Sequence, residues 1–349
     1  MKGPFTTPED IAARPGDYVR VSQREIQRIV TLQSSGSTGK PKRLFFTRAD
    51  LEHTVEFFRR GMAWLCREGD RVAICIGSHS PDGLGRLLEE GLRRLGTETL
   101  LLGSVTKAEQ WQEFARALEA FRPDTLVGLP VQVRRLALLK PALRLRTVLL
   151  SGDYVADSVR NTVARLWQSR VFSHYGMTES GMGLAVQCSP ERGHHIRTDE
   201  LQVEIIDPVT LETLPDGQWG EVVFSTLRRQ AMPLERYRTG DISRLLPGNC
   251  PCGRNSPRLD RILGRRSELR KPVSVYLLDE LLLGEDAILD TSAELRGNSL
   301  RVTAEFAPGR EAAHKKTEKL LKGAFPQFSV FLLSGPVQPG TAKRSVLIP

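Results

Sequence analysis

Between Ile29 and Leu263 the chain alternates short β-branched or apolar runs with amphipathic stretches. This switching between strand and helix periodicity restricts it to an α/β fold. Runs at 29–32, 44–46, 71–76, 99–102, 125–129, 147–150 and 170–174 read as strands, with helical patterns between them. In the pattern from Asp50 to Cys66, Asp50 can cap the start. Leu51, Val55, Phe58, Met62 and Leu65 then recur every three to four residues, and Gly69 follows the end. Residues 107–121, with Trp111, Phe114 and Leu118, and residues 156–167 are further helices. Strands separated by helices predict largely parallel pairing, with ligands at the carboxyl ends of the strands.

After Tyr175 the texture changes. Residues 201–227 alternate apolar and polar positions around Asp207-Pro208 and Pro215-Asp216-Gly217, which predicts antiparallel hairpins. Beyond Gly264 a helix (277–283), a strand (300–306), a charged helix (311–321), a strand (329–333) and a Gly- and Pro-broken tail suggest a small α+β region. The expected division is therefore a large mixed parallel-sheet domain with an antiparallel hairpin region over 1–263, and a small C-terminal lid over 264–349.

The 349 residues are 40% hydrophobic and 26% charged, which excludes disordered, collagenous and small disulfide-stapled classes. No apolar run is long enough to span a bilayer, and the first residues lack a signal-peptide core, so a cytoplasmic protein without a membrane partner is expected. The net charge of +9 comes from basic residues scattered among acids. It suits polyanionic small ligands better than nucleic acid, and no nucleic-acid partner is expected.

The most specific local feature is Ser34-Ser35-Gly36-Ser37-Thr38-Gly39-Lys40-Pro41-Lys42, directly after a short apolar strand. It is too short for the usual P-loop and has Pro41 at the hydroxyl position. Its small residues, hydroxyls and lysines are still the makings of a polyphosphate cradle. On composition alone, a flexible Gly/Ser turn explains it equally well. Tyr175-Gly176-Met177-Thr178-Glu179, Tyr237-Arg238-Thr239-Gly240-Asp241 and Ile262-Leu263-Gly264-Arg265 follow in that order.

Together these four segments resemble the adenylate-forming superfamily of acyl-CoA synthetases, and residues 188–266 look most like its phenylacetate-coenzyme A ligase branch. The resemblance implies attack of a carboxylate on the α-phosphate of ATP, giving an acyl-adenylate and pyrophosphate, followed by thiol displacement of AMP. It implies that Ser35, Ser37, Thr38, Gly39 and Lys42 hold the β- and γ-phosphates, with Tyr175 against the adenine and Gly152-Asp153 beside it. Thr178 would contact the α-phosphate and Glu179 would hold Mg²⁺, a hard cation suited to carboxylate and phosphate oxygens. Asp241 would accept hydrogen bonds from the ribose hydroxyls, with Arg265 among the nucleotide-binding residues. Gly128, Leu129, Pro130, Ser173, His174, Met182 and Gly183 are the candidate acid pocket, small and mostly apolar, as suits an aryl or modest acyl acid.

Cys188, His195 and Cys250-Pro251-Cys252 supply three thiols and an imidazole, a complete set for a structural Zn²⁺. Members of the branch that this chain resembles carry the same pattern, and His195 matches it better than His194. The alternative is free reduced thiols, which is how Cys66 and Cys75 read.

The chain departs from the family in places. Ser267 stands at the usual hinge acid, with Glu268 one residue later. The C-terminal catalytic lysine aligns with Thr341 strictly and with Lys343 after a two-residue slip, and Lys343 is the candidate. The 33 residues before Ser34 suggest a shortened N-terminal margin. The expectation is an AMP-forming ligase of a small carboxylic acid, using ATP and Mg²⁺, with coenzyme A or an acyl carrier protein as acceptor and homodimerisation left open. A nucleotide-binding relative with lost or partial catalysis, and an enzyme passing its acyl group to an amine, remain alternatives.

Overall fold

The computed structural model describes residues 3–32, 41–77, 83–189, 193–310, 312–340 and 344–348. The chain forms two compact units that interleave along the sequence: Met1–Asp70, Ser78–Thr99 and Phe172–Arg266 make the first, and Arg71–Gly77, Leu100–Val171 and Ser267–Pro349 the second. Among the described residues, no helix is long and apolar enough to cross a membrane.

In the first unit, strands Ile26–Leu32 and Lys42–Thr47 form an antiparallel hairpin with Leu32 opposite Lys42. Parallel pairing does not occur here, because the nine residues between Leu32 and Lys42 are too few for a crossover of a dozen or more. The hairpin feeds helix Arg48–Met62. Its cap is Thr47, and Asp50, expected at that position, is instead the third helical residue of a capping box. Thr47 Oγ1 accepts from the Asp50 N–H at 3.1 Å, and Asp50 Oδ2 accepts from the Thr47 N–H at 2.9 Å. The helix packs on helix Leu84–Arg93 at Gly91, where an added Cβ would stand 3.0 Å from both Arg59 N and Val55 O.

Two antiparallel sheets complete the unit. One is ordered Leu201–Ile206, Gly220–Thr226, Tyr237–Ser243 and Gly264–Arg265. Along Tyr237–Ser243 the buried positions alternate, so Tyr237, Thr239 and Asp241 share the inward face. Near the N-terminus, Thr6 pairs with this strand, its N–H donating to Arg236 O at 3.2 Å and its carbonyl accepting from the Arg238 N–H at 2.9 Å. The other sheet places Ala185–Gln187 between Tyr175 and His194–Ile196, which in turn pairs with Arg258–Leu259.

In the second unit, Thr125–Gly128 lies between Arg71–Cys75 and Thr147–Leu150, all parallel. Every residue of Thr125–Gly128 and Thr147–Leu150 is buried, as expected of strands covered on both faces. The C-terminal segment contributes an antiparallel pair, Ile288–Arg296 and Ser299–Phe306, and strand Ser329–Ser334 parallel to the second of these. One apolar cluster joins Trp111, Leu118 and Trp167 to Leu278, Leu300 and Phe325. Arg134 is fully buried and donates to the carbonyls of Ile288 and Glu285 at 2.8 and 2.9 Å.

Candidate functional site

The turn after strand Arg170–Tyr175 and the inward face of Tyr237–Ser243 are tied together twice, crosswise. Tyr175 Oη donates to Asp241 Oδ2 at 2.8 Å, and Tyr237 Oη donates to Glu179 Oε1 at 3.0 Å. Each carboxylate also has a cation. Lys42 forms an ion pair with Glu179 and stands 3.3 Å from Tyr237 Oη, while Arg265, opposite Asp241 in the sheet register, approaches Asp241 Oδ1 at 3.7 Å. Glu179 and Asp241 are 5% and 4% exposed, so these contacts act where water screens little. Burial works to raise the Glu179 carboxyl, but the charge and hydrogen bond of Lys42 prevail and hold it below its ordinary value. Burial, then the charge of Asp241, drives the Tyr175 phenol well above its usual range, so it stays a donor.

Thr178 and Glu179 open a single 3-10 turn, Thr178–Ser180, with Thr178 half-buried. Arg238 pairs with Glu221 through Nη2 at 2.5 Å, and Gly240 N–H donates to the same carboxylate at 3.1 Å, which stiffens the strand that carries Asp241. Ser35, Ser37, Thr38, Gly39 and Lys343 lie outside the described residues.

The acid-pocket candidates fall in both units. In the first, His174 sits 5.8 and 6.3 Å from the rings of Phe57 and Phe58. The Phe57 ring fills the space that a side chain at Gly183 would take, and Met182 is buried beside it in sequence. Ser173 turns instead to His194, Oγ to Nε2 at 2.7 Å. In the second unit, Leu129, Pro130, Gly152 and Asp153 line a cavity of about 190 Å³ that Arg344 also borders, and Gly128 ends the adjoining strand. Arg344 ion-pairs with Asp279 and Asp290 and donates to Thr291 O at 2.6 Å, while Gln132 Nε2 donates to Gly340 O at 3.1 Å. The chain is thus pinned on both sides of 341–343.

Cys188, His195, Cys250 and Cys252 converge, their ligand atoms all within 4.8 Å of one another. Cys188 and Cys250 sulfurs are 3.6 Å apart, and Cys252 Sγ is 3.3 Å from His195 Nε2. With Zn–S about 2.3 Å, the edges of a tetrahedral site are about 3.5–3.8 Å, so the donor set fits a closed zinc site in both kind and spacing. Ser256 Oγ engages His195 Nδ1 at 2.7 Å, fixing the ring with Nε2 toward the thiols. Neither Ser256 nor the Tyr237 hydroxyl was assigned a role from sequence. Tyr237 had a signal, its place in one of the four motifs, and Ser256 had none.

The model of the family described as AMP-binding enzyme matches residues 14–230. The chain is 32% identical over 276 residues to phenylacetate-coenzyme A ligase of Pseudomonas putida, spanning 77% of this chain and 61% of that protein. It is also 32% identical over 341 residues to phenylacetate-coenzyme A ligase of Aromatoleum evansii, spanning 91% and 74%. A crystal structure of 2-hydroxyisobutyryl-CoA ligase in the postadenylation state, in complex with R3-HIB-AMP, superposes with a TM-score of 0.82 at 20% identity. That superposition covers 99% of this chain and 79% of the other, a likeness of fold. The chain therefore belongs to the AMP-binding enzyme family.

Proposed function

We propose that this protein activates a small carboxylic acid with ATP and passes the acyl group to the thiol of coenzyme A. The observation that carries the reading is the pair of crossed tyrosine–carboxylate hydrogen bonds, with a lysine on one carboxylate and an arginine beside the other. In the first step a carboxylate oxygen attacks the α-phosphorus, the bond to the β-phosphate breaks and pyrophosphate leaves. In the second the thiolate attacks the acyl carbon, the bond to the phosphate oxygen breaks and AMP leaves. A carboxylate is a poor nucleophile and is repelled by the phosphates, so the protein's part is positioning and charge neutralisation.

Asp241, oriented by Tyr175, is the ribose acceptor in this reading. Lys42 neutralises transferring phosphate charge, together with Ser35, Ser37, Thr38 and Gly39 of the loop. Glu179 would hold Mg²⁺, which supplies a Lewis acid for the phosphate oxygens. Thr178 touches the α-phosphate, and Lys343 grips the substrate carboxylate. Cys188, His195, Cys250 and Cys252 hold a structural Zn²⁺. Residues 1–263 are the catalytic domain and 264–349 the lid. The names of the relatives favour coenzyme A as acceptor and an aryl acid as substrate, and the Phe57–His174–Met182 surroundings suit that class. A cytoplasmic location is consistent with this chemistry.

The test is a panel of aryl and short acyl acids, with ATP and Mg²⁺, read as pyrophosphate release. Acid-dependent release is expected, falling about 10²-fold or more in Glu179→Gln through lost charge stabilisation. If no acid yields pyrophosphate or a hydroxamate while ATP still raises Tm, the protein binds nucleotide without this catalysis.

A further inference from the structure

Behind the turn that carries Glu179 lies a second, smaller pocket of about 20 Å³, whose lining includes Asp50, Ser180, Gly181, Arg197, Glu200 and Arg229. Two arginines face it. Arg229 has a 7% exposed side chain and lies flat over Phe46, its guanidinium carbon 3.9 Å from the ring centroid. Its Nε is buried without a hydrogen-bond acceptor, and its nearest carboxylate oxygen, Asp50 Oδ2, is 3.9 Å away. Asp50 is already committed. It accepts from the Thr47 N–H at 2.9 Å, the Gln230 N–H at 2.7 Å and the Ala231 N–H at 3.0 Å.

Arg197, also buried, stacks over Phe57 at 4.8 Å, gives Nη2 to His53 O at 2.7 Å and stands 3.5 Å from Glu200. Both guanidinium groups converge on Gly181, whose φ is +77°. A Cβ there would stand 3.2 Å from Arg229 Nη1 and 3.8 Å from Arg197 Nη1. Thr54 Oγ1 donates to Gly181 O at 2.9 Å and closes the pocket on that side.

We infer that this pocket is a binding site for a small inorganic anion of halide size, chloride, held between Arg197 and Arg229. A buried cation without a good acceptor is costly, and an occupant that only accepts and carries negative charge relieves it where a neutral water does not. One water-sized sphere takes about 10–15 Å³ on the same measure, so the space admits a single small ion. The Arg229 guanidinium is depressed to about 10, by burial first and against the charge of Asp50, as expected of a cation whose counter-ion is incomplete. The site backs directly onto Ser180 and Gly181, so its occupant props the turn that aims Glu179. It stands apart from the proposed reaction.

The experiment compares Tm of the full chain in sodium chloride and sodium gluconate at matched ionic strength, and collects bromide anomalous diffraction from soaked crystals. Chloride should give a saturable rise of about 2 °C at ten times Kd, and bromide a peak between Arg197 and Arg229. Arg229→Met should lose the chloride increment. Equal Tm in the two salts, an increment that persists in Arg229→Met, or no bromide peak at that position would overturn the proposal. The salt comparison and the diffraction need no variant.

Discussion

His174 shows how one side chain records its surroundings. Packed against Phe57 and Phe58, it is held neutral, its pKa lowered to about 3 by burial first and then by the charges of His194 and Arg197. The unfolded imidazole takes up its proton near pH 6.5. Between that value and about 3 the unfolded chain therefore binds the extra proton, and stability falls as pH drops, by up to about 1.4 kcal/mol per pH unit. His174→Gln should flatten that part of the stability profile. Chemical denaturation of both proteins from pH 7 to pH 4 measures the difference, and parallel profiles would remove His174 from the account. At this scale the sequence was informative about which residues are polar and special, Glu179 and Asp241 among them. It was silent on their partners. Order along a chain does not reveal that Tyr175 faces Asp241 while Tyr237 faces Glu179, because that depends on which strand lies opposite which turn.

Among the elements, the legible features were those encoded in short windows. The alternation within 201–227, which becomes the antiparallel pair Leu201–Ile206 and Gly220–Thr226, and the apolar spacing of Arg48–Met62 could be read directly. What escaped was competition between neighbouring signals. Thr47 and Asp50 are both good caps, and the pair resolves with Thr47 outside the helix and Asp50 within its first turn, where its carboxylate also collects two N–H groups from 230–231. The contact of helix Arg48–Met62 with Leu84–Arg93 likewise depends on one small residue. At Gly91 a side chain would meet backbone atoms of the neighbouring helix, which cannot rotate away. Gly91→Val should destabilise the protein by about 1–3 kcal/mol through forced separation of the helices. Thermal unfolding tests this, and an unchanged Tm would mean that the helices separate without strain.

At the scale of the whole molecule, texture along the chain suggested a break near Gly264, while contacts gather residues 267–349 with 71–77 and 100–171. Such interleaving is set by which apolar faces meet, as where Leu278, Leu300 and Phe325 join the cluster around Trp167, and no local window contains that information. The thiol–imidazole set is long-range in the same way, joining 188–195 to 250–256. Protein prepared without chelators should carry one equivalent of zinc, and its removal should lower Tm. Ser256→Ala should weaken zinc binding about 10–100-fold, read by competition with a chromogenic chelator. Zinc-free protein of unchanged Tm would assign these thiols no metal. The pairing of Thr6 with the Tyr237–Ser243 strand has a mechanical meaning too. Phe5 lies under the guanidinium of Arg236, so a pull applied upstream of Phe5 is shared with that strand beside Tyr237 through the two Thr6 hydrogen bonds. A probe attached there is a handle on the residues that would cradle a nucleotide.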